Sequence, residues 1–279
     1  MADDPKTVLR LAMAAGDKAP WVTVRWLEAL GPEQLRSAGP ALVLAWAKKE
    51  PKTAFDWALK HGIDIGAAVL AGADNETRNF ASSRGFSHDT PMQVGMESKP
   101  EVVLTWLRKQ PAGAARDTAV VATLRALREP QEMIPLLAML PPETAPRGAE
   151  VIAEKFRGIG SEAATTWAGN LPVGPIRTAA WTALGKAQGA AIVPPLPPGP
   201  DRDALLRGTT QTSYYVQGFP EKAMDRALAI DDLNLRRQTF DEVMGSWTTN
   251  PKQRANAAPW LNGATVPEEW KTRWRGELR

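Results

Sequence analysis

Few residues of this chain are suited to catalysis or metal binding. It has no cysteine and two histidines, whereas protein zinc sites take three or four ligands mainly from these residue types. His61 and Asp64 lie near a predicted helix end, and Ser87, His88 and Asp89 are adjacent. Adjacent residues cannot form the hydrogen-bonded relay of a serine triad, and His61 suits a helix C-terminus. We therefore predict a protein that is not an enzyme and has neither a metal nor a cofactor.

Arginine is the residue type whose spacing recurs. Arg116, Arg147 and Arg177 each begin a predicted second helix, where a cation opposes the helix dipole. Either each guanidinium binds carbonyls or a carboxylate of the neighbouring helix pair, or the three line a groove for an anionic ligand. In the second case Lys271 and Arg275 of the basic C-terminal segment extend a surface for nucleic acid or another polyanion.

A third group of candidates lies in two segments that interrupt the repeats described below. Both contain Arg, Phe or Tyr, which are common at the centres of protein interfaces. We predict that six of their residues form a binding site in or beside one groove: Arg78, Arg84, Phe86, His88, Tyr214 and Tyr215. The alternative is that both segments only fill a concavity or cover an edge of the fold.

The elements that position these side chains are predicted two-helix repeats. Residues 106–119 and 167–180 align without a gap and share Trp-x4-Pro-x-Gly-x2-Arg-x2-Ala. The intervals between repeat starts agree within one residue: 31 from Pro20 to Pro51, 30 from Pro100 to Pro130, 31 from Pro130 to Ser161 and 31 from Pro220 to Pro251. Apolar residues at i, i+3, i+4 and i+7 predict two helices in each repeat.

Because one helix pair cannot bury its apolar face, neighbouring pairs must stack. We predict an all-α fold, a right-handed α-solenoid of antiparallel helix pairs with a period near 31 residues. The predicted single domain, 1–279, consists of a capping helix (1–19), repeats (20–73), an insertion (74–99), repeats (100–189), a Pro-rich irregular insertion (190–219), and repeats with a C-terminal cap (220–279).

The repeats resemble the short HEAT-like class of α-helical repeats. More closely, they are similar to Trp-, Pro- and Ala-rich repeats of uncharacterised bacterial proteins. Pro51 to Trp57 has the form Pro-x2-Ala-x2-Trp, and Leu171 to Arg177 has the form Leu-Pro-x-Gly-x2-Arg. In the fourth repeat Leu137 replaces the tryptophan. The resemblance implies an architecture and no particular activity.

Tryptophan is unusually frequent, with eleven residues. We predict that six of them are buried between helices, where each ring covers ~150–250 Å²: Trp46, Trp57, Trp106, Trp167, Trp181 and Trp247. The alternative is an aromatic platform for sugars or unstacked bases. Trp260, Trp270 and Trp274 are less tied to the repeat, and we expect them to be partly exposed.

Charge and hydropathy narrow the function classes. Residues 252–279 hold six basic and three acidic side chains, which leaves 28 of each in residues 1–251 and accounts for the net charge of +3. This excess of positive charge is small for a protein that binds nucleic acid. No apolar run approaches the ~18 residues of a membrane span, so we expect a soluble protein, cytoplasmic or exported. The sequence does not indicate an oligomeric state.

We predict a non-catalytic helical-repeat scaffold that binds another macromolecule, in the first place a protein, through its concave face and two insertions. Binding of nucleic acid or another polyanion is the alternative, and an enzyme with an unrecognised site is the third hypothesis.

Overall fold

The structure is a computed structural model that describes residues 4–71, 73–84, 86, 90–157, 161–188, 196–212, 218–250 and 252–278. Within these ranges the chain forms 17 helices that contain 74% of the residues, and it forms no strand. The prediction of an all-α fold is confirmed.

The chain divides into two compact units, residues 1–141 and 142–279, a division that the sequence analysis did not predict. The described part of the first unit has nine helices: α1 (Pro5–Gly16), α2 (Pro20–Leu30), α3 (Pro32–Ala47), α4 (Pro51–Lys60), α5 (Asn75–Ser83), α6 (Pro91–Ser98), α7 (Pro100–Arg108), α8 (Ala114–Ala126) and α9 (Pro130–Leu137). The described part of the second unit has eight: α10 (Ala145–Lys155), α11 (Ser161–Gly169), α12 (Pro175–Gln188), α13 (Pro200–Thr210), α14 (Pro220–Leu228), α15 (Leu233–Thr249), α16 (Arg254–Gly263) and α17 (Glu268–Glu277).

Proline begins many of these helices because its missing N–H group has no partner in the first helical turn anyway. The residue before the proline has nearly the same conformation at four predicted repeat starts, with φ between −134° and −148° and ψ between 62° and 65°: Ala19, Glu50, Lys99 and Phe219. A glycine with φ between +102° and +147° precedes four other helices, at Gly31, Gly113, Gly174 and Gly199. Only glycine adopts this conformation without strain.

In the first unit, α1, α3, α6 and α8 pack one against the next, and α4 packs against α7. In the second unit, α10 packs against α12, α12 against α13, and α13 against α14 and α15. Five of these helices are second members of predicted pairs: α3, α8, α10, α12 and α15. Three are first members, α4, α7 and α14, and three lie in the predicted cap or insertions, α1, α6 and α13. Buried apolar side chains fill the space between them and provide the main stabilisation.

The first predicted insertion, 74–99, includes a core helix, which corrects the sequence analysis. Five of the eight residues of α6 are buried, and the helix packs between α3 and α8 and approaches Phe55 of α4 at Gly95. The additional chain is therefore the connection 61–90, which contains α5. The sequence signal was weak because α6 is short and contains a glycine. A Cβ added at Gly95 would lie 2.7 Å from the Phe55 ring.

The second predicted insertion, 190–219, is also not irregular throughout, because residues 200–210 form α13. Asp203, Ala204 and Leu205 of this helix are buried. Gly199 and Arg202 repeat the Gly-x2-Arg spacing of Gly174 and Arg177, a signal of a second helix that the sequence analysis overlooked. The helix crosses α12 so closely that a Cβ at Gly208 would lie 1.9 Å from Thr182 O.

The six repeat tryptophans are all buried, as predicted. Trp106 also donates a hydrogen bond from Nε1 to Asp56 Oδ1 (2.7 Å). Trp270 and Trp274 were expected to be partly exposed, but they are 7% and 4% exposed and pack in one cluster with Phe240 and Trp247. Trp260 is partly buried against the same cluster.

Candidate functional site

Helix α5 is held on the surface of the first unit by two ion pairs to α1. Lys6 Nζ lies 2.7 Å from Asp74 Oδ2, and Arg10 is paired with Glu76. Asp74 is also the N-cap of α5, because its Oδ1 accepts from Thr77 N (2.9 Å). The hydrogen bond from Lys6 and those from Thr77 hold the pKa of Asp74 well below its ordinary value. Both acidic side chains at the start of α5 are thus neutralised by α1.

At the other end of α5, two cations lie over two phenylalanine rings. The Arg84 guanidinium carbon is 5.4 Å from the centre of the Phe80 ring, and Lys48 Nζ is 5.5 Å from that of Phe86. We call these four residues, Lys48, Phe80, Arg84 and Phe86, the basic–aromatic patch. Cation–π attraction of this kind fixes the cation and leaves its hydrogen-bond donors available.

The backbone explains how the patch is assembled. Arg84 is the C-cap of α5 and Lys48 is the C-cap of α3. Phe86 N donates to Ala81 O (3.2 Å), which turns the chain back so that the buried Phe86 ring contacts Lys48. Arg84 and Lys48 are both exposed. Neither forms an ion pair with a carboxylate of the described residues.

The structure brings two of the predicted site residues, Arg84 and Phe86, into this patch. Arg78 lies on the same helix and is exposed, and its Nε donates to Ala73 O (3.1 Å). His88, Tyr214 and Tyr215 lie outside the described residues, so the prediction that both insertions meet at one groove stays a prediction. The sequence analysis missed Lys48 and Phe80. The i, i+4 spacing of Phe80 and Arg84 is a usable signal, whereas Lys48 is 38 residues from Phe86.

The repeat arginines have a different environment. Arg177 Nε donates to both carboxylate oxygens of Asp201 (2.9 and 3.0 Å), and Nη1 donates to the carbonyls of Gly169 (2.8 Å) and Leu171 (3.3 Å). The hydrogen bonds to Asp201 raise the pKa of Arg177. Arg116 Nη2 donates to Met139 O (2.8 Å).

Arg147 is the exception among them, since it is exposed and has no polar partner among the described residues. The sequence analysis missed Arg236, which binds the carbonyls of Ile230 and Asp231 in the same way as Arg177 binds its own turn.

The C-terminal cations of the polyanion hypothesis are also paired. Lys271 is 8% exposed, and its Nζ lies 3.1 Å from Glu268 Oε1. Arg275 Nη1 lies 2.9 Å from Glu268 Oε2, and Arg275 Nε donates to Asn262 Oδ1 (3.2 Å). The hydrogen bonds from Lys271 and Arg275 lower the pKa of Glu268. Four of the five residues of the polyanion hypothesis therefore bind groups of their own unit.

Two concave sites are small or shallow. A cleft of about 180 Å³ between α13, α14 and α15 is lined by Glu242, Ser246 and Trp247 among others. A groove of about 300 Å³ beside α4 and α7 is lined by Lys52, Val102 and Lys109 among others. Neither site contains a histidine, and His61 is the C-cap of α4, with its ring 4.6 Å from that of Trp57.

Comparison of the chain with protein-family models, with curated proteins and with solved structures found no match. None of the described helices is long and apolar enough to span a bilayer. In the described ranges, no group of three His, Cys, Asp or Glu side chains is arranged to hold a metal ion.

Proposed function

We propose that the protein is a non-catalytic binding protein, built as a right-handed α-solenoid, and that it binds a protein partner through the basic–aromatic patch. The solenoid is supported by the recurring backbone conformations at Ala19, Glu50, Lys99 and Phe219 and by the rows of helices that pack one against the next within each unit. In such folds, each repeat contacts mainly its neighbours.

The solenoid can be tested by an experimental structure. Successive helix pairs within a unit should superpose through one repeated rotation and translation. Pairs that are related by different, unconnected operations would contradict the solenoid while leaving the all-α fold unaffected.

The observation that carries the binding proposal is the pair of exposed cations over aromatic rings at Arg84 and Lys48. Arginine and aromatic side chains contribute strongly to protein interfaces. Both cations lack an acidic partner among the described residues, whereas Arg116 and Arg177 bind their own unit. The patch contains two cations and the net charge of the chain is only +3, which suits a protein contact better than the broad basic field that nucleic acid requires.

Helices α3 and α8 of the first unit offer a partner less accessible surface than the α5 end does. Ile63 Cδ1 would lie 2.7 Å from a Cβ at Gly39 of α3, and Ala122 Cβ of α8 would lie 2.8 Å from one at Gly66. The connection 61–66 therefore covers α3 and α8, and α3 is buried throughout 41–47. This part of the connection 61–90 is therefore occupied by packing within the unit, and the α5 end is the accessible part.

Affinity capture with quantitative mass spectrometry tests the proposal. The full chain would be compared with Lys48→Gln/Arg84→Gln and with Lys109→Gln/Arg128→Gln, in which two exposed cations at or near helix C-termini are removed elsewhere in the same unit. The partner should be retained by the wild type and the control and lost from the patch variant. The purified partner should then bind the patch variant about tenfold more weakly. Equal capture by all three proteins would contradict the proposal.

A further inference from the structure

We propose that the basic–aromatic patch recognises a carboxylate-rich segment of its partner, with Arg84 gripping one carboxylate in bidentate fashion and Lys48 contacting a second one. This inference rests on the proposed function and names the chemistry of the partner. It follows from the hydrogen-bonding capacity of the two cations, from their exposure and from the distribution of charge along α5.

Arg84 has the geometry for planar recognition. Its guanidinium carbon lies over the Phe80 ring, one helical turn earlier on α5, and this contact uses none of the N–H groups, which lie in the guanidinium plane. The Arg84 backbone N–H already closes the helix end by donating to Phe80 O (3.3 Å) and Ala81 O (3.1 Å). The side chain is therefore not needed to satisfy this helix end, and its fork of donors matches the two oxygens of a carboxylate.

Lys48 provides a second point of positive charge from another helix. Its ammonium lies over Phe86, whose ring is buried and so gives a fixed support. The neighbouring lysines are used differently: Lys49 Nζ donates to Asp17 O (2.6 Å), and Lys99 Nζ donates to Lys49 O (2.6 Å). These two bind helix-end carbonyls of the fold, whereas Lys48 binds no polar group of the described residues.

The distribution of charge on α5 leaves this end of the helix positive. Asp74 and Glu76 at its start are paired with Lys6 and Arg10 of α1. The cations that follow, Arg78 and Arg84, therefore have no acidic counterpart on their own helix. The negative ends of the α3 and α5 dipoles offset part of the charge, but about half a unit each, so a net attraction for carboxylates remains.

The test uses fluorescein-labelled hexaglutamate as a probe and fluorescence anisotropy at low salt. We expect the wild-type chain to bind it and Lys48→Gln/Arg84→Gln to bind it about tenfold more weakly, with less than about a twofold change for Lys109→Gln/Arg128→Gln. Arg84→Lys keeps the charge and removes the bidentate fork, so it should weaken binding by about threefold.

Three results would overturn the inference: no measurable binding of hexaglutamate by the wild type, equal weakening by the patch and control variants, or unchanged binding by Arg84→Lys. A fourth is tighter binding of a labelled single-stranded oligonucleotide that depends on the same two residues, which would identify a nucleic-acid surface. If instead the captured partner depends on the patch while hexaglutamate does not bind, the carboxylate inference fails and the proposed protein-binding function stands.

Discussion

The α12–α13 crossing of the second unit and the α5 segment of the first unit hold their helices by different means. At the crossing, Gly185 and Gly208 let two backbones approach until a Cβ would overlap a carbonyl oxygen, and Arg177 is enclosed by Asp201 and two carbonyls. Helix α5 is attached by exposed ion pairs, and its Arg84 rests on a ring at the surface.

This difference distinguishes arginines that stabilise the fold from arginines whose hydrogen-bond donors can still bind a ligand. A guanidinium whose donors are used within its own unit stabilises the turn and cannot serve a ligand without losing those bonds. A guanidinium that contacts only an aromatic face keeps its donors. The recurrence of an arginine in the repeat therefore indicates a structural role at Arg116 and Arg177, and the non-recurring Arg84 is the better candidate for binding.

The largest expected effect concerns the tryptophans of the packed regions. Trp106→Ala removes a ring that is 2% exposed and a hydrogen bond to Asp56, so it should lower the free energy of unfolding by about 3–5 kcal/mol. Trp21→Ala is the control, because Trp21 is 52% exposed although its ring packs against Trp46 with the ring centres 4.8 Å apart, and it should lower the free energy of unfolding by about 1–2 kcal/mol. Urea unfolding followed by circular dichroism measures both. Similar losses at the two sites would contradict the assignment of Trp106 to the core.

The next effect tests the close crossing directly. Gly208→Ala places a Cβ 1.9 Å from Thr182 O. Because this oxygen belongs to the backbone of α12, the two helices must separate, which should lower the free energy of unfolding by about 3 kcal/mol or more. Gly276→Ala is the control, since nothing lies within 4 Å of its added Cβ, and it should be neutral or stabilising by about 0.5–1 kcal/mol. Equal thermal stability of the two variants would mean that α12 and α13 are not in contact as described.

A smaller effect separates the two kinds of arginine. Arg177→Ala leaves the Asp201 carboxylate and two carbonyls without their donor, and it should destabilise the chain by about 2 kcal/mol. Arg84→Ala should change the unfolding free energy by less than about 0.5 kcal/mol and weaken partner binding. Equal losses of stability for Arg84→Ala and Arg177→Ala would show that Arg84 also stabilises the fold, and the distinction between the two arginines would then be wrong.

The smallest effect is the pH dependence of the attachment of α5. Because the folded-state pKa of Asp74 is lowered, its contribution is present above the ordinary aspartate pKa of about 3.9 and is lost as the pH falls through the folded value. Asp74→Asn keeps an N-cap residue but removes the ion pair with Lys6. It should lower the melting temperature slightly at pH 7, and the difference from wild type should shrink below about pH 4. A difference that grows in acid would reverse the assigned sign.

The amino-acid sequence by itself determined features that depend on neighbouring residues. Proline at N1 and glycine at a positive φ act within one turn of the chain, so helix starts such as Pro51 and Pro100 were predictable. The burial of Trp106 and Trp167 followed from their place on an apolar helix face. The all-α class followed from the same periodicity.

The tertiary structure decided what depends on residues far apart in the chain. Helix α6 and helix α13 are short and only become core elements because α3, α8, α12 and α15 pack against them. The partner of Arg177 is 24 residues away, and that of Trp274, Asp241, is 33 residues away. The basic–aromatic patch likewise exists because α3 and α5 end near each other, which brings Lys48 over Phe86. No local spacing encodes such contacts, since they form only when apolar burial brings the helices together.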